Sequence, residues 1–124
     1  MRILVLNANT SDIVTEKVAA AARASASPGT EIVAVTGTFG GRVIGTRAEH
    51  AIGEHSTIAL VARHAAGCDA VVIGVSSRPE AEARKGPWNE TLDLAALIPK
   101  PFRPGDLIAA AEAALAEQAK ARKS

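Results

Sequence analysis

Near the start of the chain stand four apolar, β-favouring residues in a row, Ile3-Leu4-Val5-Leu6, and the run stops at Asn7-Ala8-Asn9-Thr10-Ser11-Asp12. Apolar residues at consecutive positions bury both faces of a strand, which is the habit of a parallel sheet covered by helices on each side. The next segment fits that picture. Ser11 or Asp12 is placed to cap a helix, and Ile13, Val14, Val18, Ala21, Ala22 and Ser25 recur at helical spacing as its expected inner face. Ser27-Pro28-Gly29 ends it.

The alternation then repeats. Glu31 to Thr36 reads as a second strand and runs into the glycine-rich stretch Gly37 to Gly45, expected to be a mobile loop. A second helix follows, with Ala51, Ile52, His55, Ile58, Ala59, Ala62 and Ala65 expected inward and Gly67 as its C′ residue. Ala70 to Val75 reads as a third buried strand. Glu80 to Lys85 is helix-compatible, Gly86-Pro87 breaks it, and Ala95 to Ile98 is a candidate fourth strand. Pro104 opens a last helix with Leu107, Ile108, Ala111, Ala114 and Leu115 inward, and Lys120 to Ser124 is read as a solvated basic tail. Strands alternating with helices demand right-handed crossovers. The expected fold is a three-layer flavodoxin-like (Rossmann-like) α/β sandwich, one domain over residues 1–124. Its parallel sheet has four to five strands in the order 2-1-3-4.

Composition narrows the classes of partner. Fourteen basic and 13 acidic residues leave a net charge of +1, and the aromatics are Phe39, Trp88 and Phe102 alone. A basic stripe interleaved with aromatics is therefore missing, and no nucleic-acid partner is expected. The single cysteine, Cys68, excludes a disulfide framework and is read as a small, half-buried thiol. No apolar run approaches a membrane span, and no leader precedes the first strand, so a cytoplasmic protein with no membrane partner is expected. His50, His55 and His64 lie at spacings of five and nine, which does not suit a helical metal pair, and the glycines match no phosphate or dinucleotide fingerprint. No metal or cofactor is expected.

Ligands of such folds bind outside the carboxyl ends of the strands. Of the loops there (7–12, 36–47, 76–79 and 98–102), the first is the most informative. Asn7, Asn9, Thr10 and Ser11 stand just before a helix N-terminus, where side-chain donors and unpaired backbone N–H groups suit a phosphate, sulfate or carboxylate. The alternative reading is that Asn7 and Asn9 hold a turn while Ser11 caps the helix.

Met1 to about Val75, with Ile3 to Ser11, Pro28 to Thr36 and Gly67 to Ile73, resembles the first half of the Asp/Glu and hydantoin racemase family. In that family the Asn/Thr/Ser loop helps hold the substrate's carboxylate or hydantoin end, so the resemblance implies Asn7, Asn9, Thr10 and Ser11 as ligand contacts. It also implies a cysteine after the third strand and a second one in a pseudo-symmetric second half, which exchange a proton at the substrate's stereocentre. This chain reads Gly74-Val75-Ser76-Ser77 after the strand, and Cys68 precedes it. A serine hydroxyl is a far weaker base than a thiolate.

Residues 72 to 118 resemble the end of a response-regulator receiver domain through Leu97-Ile98-Pro99-Lys100-Pro101-Phe102 and the Ala-rich helix after it. That resemblance implies Lys100 and Ser76 or Ser77 as remnants of a phosphate site. Its acidic residues are missing, because the first strand ends in Asn7-Ala8-Asn9. Racemase-like over 1–75 and receiver-like over 76–124, the chain is expected to be a chimera of two flavodoxin-like proteins. The expected function is non-catalytic, with a residual anion-binding rim at Asn7, Asn9, Thr10, Ser11, Ser76, Ser77 and Lys100. The alternatives are an amino-acid or hydantoin racemase homologue and a phosphorylation-independent signalling module. A short fourth strand would leave an open sheet edge, for which a homodimer is expected.

Overall fold

In the computed structural model, which describes residues 1–73 and 104–123, the run that opens the chain becomes the central strand β1 (Arg2–Asn7). Ile3 to Leu6 are all buried. Successive side chains of a strand point to opposite faces, so Ile3 and Val5 enter one apolar layer and Leu4 and Leu6 the other. β2 (Glu31–Thr36) and β3 (Ala70–Ile73) flank β1 in parallel, in the order β2-β1-β3, with Ile3 opposite both Ile32 and Ala70.

Helices cover both faces. α1 (Asp12–Ser25) and α3 (Pro104–Lys123) lie on the Ile3/Val5 side, where Ala22, Val18, Ala26 and Ala111 close the layer. The two helices pack on each other, and Ser27 Oγ, just past α1, donates to Glu112 of α3 at 2.6 Å. α2 (Arg47–His64) covers the opposite side with Leu60 and Val61. The three layers and the 2-1-3 order agree with expectation.

The expected four to five strands do not. The described residues hold three, and the candidate fourth strand at 95–98 lies outside them, as do Gly74 and Val75, Ser76, Ser77, Trp88 and Lys100. The expected helix faces also need correction. Ile13 is 59% exposed and Val14 40%, whereas Thr15, Ala19 and Ala22 are buried against the sheet. On α2 the buried residues are Gly53, Ser56, Thr57 and Leu60, while Ala51, Ile52, His55, Ala59 and Ala62 are exposed.

Close approach explains the rotated face of α2. The chain leading into the helix crosses over Gly53, where a Cβ would stand 2.8 Å from Ile44 Cδ1. Thr57 satisfies its hydroxyl on Gly53 O at 2.9 Å, so a polar residue can sit inside at little cost. The expected basic tail is helical through Lys123, with Lys120, Arg122 and Lys123 in a last turn that suits the helix dipole.

Candidate functional site

Parallel strands bring the carboxyl ends of β1 and β2 to one rim, and α1 and α2 both begin there. The loop after β1 is held by its own side chains. Asn7 Nδ2 lies within hydrogen-bond distance of three acceptors: Asn9 Oδ1 at 2.7 Å, Thr15 Oγ1 at 3.1 Å and Ser11 O at 3.2 Å. Its Oδ1 accepts from Asn9 N at 3.3 Å, and Asn9 Oδ1 accepts from Ser11 N at 2.9 Å. Thr36 Oγ1, at the end of β2, donates to Thr15 Oγ1 at 2.8 Å. Among the described residues, no buried side-chain nitrogen or oxygen is left without a partner.

The loop after β2 is tied to the loop after β1. Gly37 N donates to Asn7 O at 2.8 Å and Asn9 O at 3.0 Å, and Thr10 N donates to Gly41 O at 3.1 Å. The approach at Gly37 is so close that a Cβ there would stand 2.5 Å from Ala8 O. Residues 37–45 are thus a docked loop, and glycine is the residue that permits the docking.

At the N-cap of α1, Ser11 has extended backbone and its side chain makes no cap hydrogen bond. The first-turn N–H groups of Asp12, Ile13 and Val14 therefore receive no cap from it, at the positive end of the helix dipole. Asn9 uses its Oδ1 within the loop, and among the described residues its Nδ2 has no protein acceptor. The rim thus carries N–H donors for which the described residues print no side-chain acceptor. Of the residues expected at this site, Asn7, Asn9, Thr10 and Ser11 come together on it, with Asn7 turned inward to hold the loop. Thr15 and Gly37 complete it, and neither stood out in the sequence.

α2 begins differently. Thr46 Oγ1 accepts from Glu49 N at 3.2 Å, while Glu49 Oε2 accepts from Gly45 N and Thr46 N at 2.8 Å each. This is a complete capping box, legible as Thr46-x-x-Glu49. The backbone N–H of Gly45, then that of Thr46, holds the Glu49 carboxyl below its ordinary value.

The remaining polar residues lie elsewhere. Cys68 is half-buried, directs its thiol to His64 O at 3.6 Å, and sits before β3 at the opposite end of the sheet from the rim. His55 meets the edge of Phe39 with ring centroids 6.0 Å apart. Among the described residues no cluster of His, Cys, Asp or Glu is arranged to hold a metal, and no helix is long and apolar enough to cross a membrane.

Residues 3–83 match the Asp/Glu/hydantoin racemase family. The chain belongs to that family. Two solved structures are similar to it. Allantoin racemase from Pseudomonas fluorescens is 37% identical over 67% of this chain and 35% of its own, with a TM-score of 0.59. Allantoin racemase from Klebsiella pneumoniae is 41% identical over 60% of this chain and 31% of its own, with a TM-score of 0.55. The chain thus spans about a third of the length of either. No curated protein matches it.

These matches overturn the expectation of a non-catalytic chimera. They run through the β1–β3 unit as one racemase-like segment and favour the racemase alternative. None of them supports the receiver-like reading of residues 72–118. Ser76, Ser77 and Lys100, which carried that reading's phosphate site, fall outside the described residues. A short Lys-Pro-Phe motif and an Ala-rich helix were too generic to establish a second family.

Proposed function

We propose that the rim at the carboxyl ends of β1 and β2 is one wall of a racemase site for a small substrate with a hydantoin ring or an α-amino carboxylate. The observation that carries this reading is the family match over residues 3–83, which contains the whole loop from Asn7 to Asp12. The likeness to two allantoin racemases points to the ring substrate. Because the chain aligns with about a third of each, the proposal covers one wall of the site.

Racemisation removes the hydrogen of a carbon beside a carbonyl from one face and returns a proton to the other. Between the two steps the negative charge of an enolate rests on the carbonyl oxygen. The uncapped first turn of α1 and Asn9 Nδ2 are donors suited to that oxygen, or to a substrate carboxylate. Cys68, at the far end of the sheet, is not assigned the proton transfer. After β3, where the family's first cysteine is expected, the chain reads Gly74-Val75-Ser76-Ser77 and has no thiol, so no base is assigned.

The test is to incubate enantiopure allantoin with the chain in D2O. Optical rotation should decay faster than in buffer, with deuterium entering at the stereocentre, and Asn9→Ala should slow the decay by about tenfold or more. Decay at the buffer rate, for allantoin and for a panel of hydantoins and amino acids, would remove the racemase reading.

A further inference from the structure

Between the loop after β2 and the middle of α2 lies a cavity of about 170 Å³, open on one side. Ser56, Leu60 and Arg63 stand at positions i, i+4 and i+7 of α2 and so share the helix face that lines it. Thr38 and Phe39 line it from the loop, where Phe39 meets His55 edge-on. The lining therefore combines apolar surface from Leu60 and Phe39 with one guanidinium, and no Asp or Glu takes part in it.

Two side chains there are unspent. Ser56 is 4% exposed, yet its hydroxyl makes no hydrogen bond among the described residues, unlike that of its neighbour Thr57, which donates to Gly53 O. Among the described residues every side-chain oxygen sealed from solvent has a partner. The Ser56 hydroxyl is therefore not sealed, and it opens into the cavity that its residue lines. Arg63 is exposed and has neither an ion pair nor a hydrogen bond among the described residues. A hydroxyl held at a buried position without a partner costs free energy that a bound group recovers. An apolar cavity of about 150 Å³ holds one benzene molecule, so this one is the size of a single six-membered ring with a small substituent at its open side.

We propose that this cavity is a second binding site, for a small aromatic or heterocyclic carboxylate. The ring packs on Leu60 and Phe39, the Ser56 hydroxyl donates to an acceptor on the ligand, and Arg63 pairs with the carboxylate. The site is built on α2 and the loop after β2, apart from the first turn of α1, and it does not depend on the racemase reading.

The experiment titrates the full 15N-labelled chain with benzoate, and with benzamide, which keeps the ring and loses the charge. Millimolar benzoate should give shifts at Phe39, Ser56, Leu60 and Arg63 that saturate together, and benzamide should bind about tenfold more weakly. Arg63→Gln should bring benzoate down to the benzamide level and leave benzamide unchanged. Ser56→Ala should weaken both ligands while leaving the melting temperature of the free chain unchanged or raised, because it removes an unpaired hydroxyl. If Ser56→Ala does not fold, or melts lower, the hydroxyl has a partner within the chain and the proposal is overturned. Equal affinity for benzoate and benzamide, or no saturating shift at the four residues, overturns it as well. So do benzoate shifts confined to Asn9 through Val14, which would place the carboxylate on the rim.

Discussion

α1 and α2 begin at the same rim of the same sheet, and their first turns are completed in opposite ways. At α2 the chain caps itself: Thr46 and Glu49 satisfy each other's backbone, and Glu49 reaches back to Gly45 as well. At α1 the polar side chains face inward. Asn7, Asn9 and Thr15 are spent on holding the N-cap residue in place, and the Ser11 side chain gives the helix no cap. A helix end closed by its own residues contributes stability. A helix end whose residues build a rigid support and leave the first turn to another partner is suited to a ligand. The difference between the two ends, more than the presence of polar residues at either, is what sets the α1 end apart.

The harshest way to break this contrast is Gly37→Ala, because the new Cβ would press on Ala8 O and Asn9 O, both backbone. A loss of about 3 kcal/mol in urea unfolding is expected, with the α1 end disturbed and the α2 end intact. Asn7→Ala comes next. It removes the carboxamide that spans Asn9, Ser11 and Thr15, and should cost about 2 kcal/mol together with any ligand response at the rim. Thr46→Ala sharpens the contrast from the other side. It should cost about 1 kcal/mol, as cap removals do, and leave ligand binding at α1 unchanged.

The smallest effect is electrostatic. The Glu49 carboxyl is held below its ordinary value in the folded chain, so its stabilising contribution is complete above the unfolded-state pKa. It is lost as pH falls through the lowered folded-state value. Acid titration of the melting temperature should show this loss, and Glu49→Gln should flatten that part of the curve.

Much of the scaffold was legible. The unbroken run Ile3 to Leu6 announced a strand buried on both faces, β2 spans the expected Glu31 to Thr36, and Pro104 opens α3. The helix faces were not legible, because burial here follows size and hydroxyl chemistry more than hydropathy. Thr15, Gly53, Ser56 and Thr57 go inside, where Thr15 and Thr57 satisfy themselves on carbonyls four residues back, while Ile13, Val14 and Ile52 stay outside. A hydropathy pattern assigns those positions the other way round. The rim loop was found by composition, as Asn7 to Ser11 before a helix, but its division of labour was not. Only the geometry shows Asn7 turned inward, Asn9 using its Oδ1 in the loop with no acceptor for its Nδ2 among the described residues, and Thr15 and Gly37 bracing the loop.

The most direct measurement is a titration of the 15N-labelled chain with allantoin to millimolar concentration, read at the backbone amides of both helix N-termini. The account predicts shifts at Asn9 through Val14 that saturate together, with Thr46 to Glu49 unmoved. Shifts confined to Thr46 to Glu49, or none at Asn9 through Val14, would contradict it.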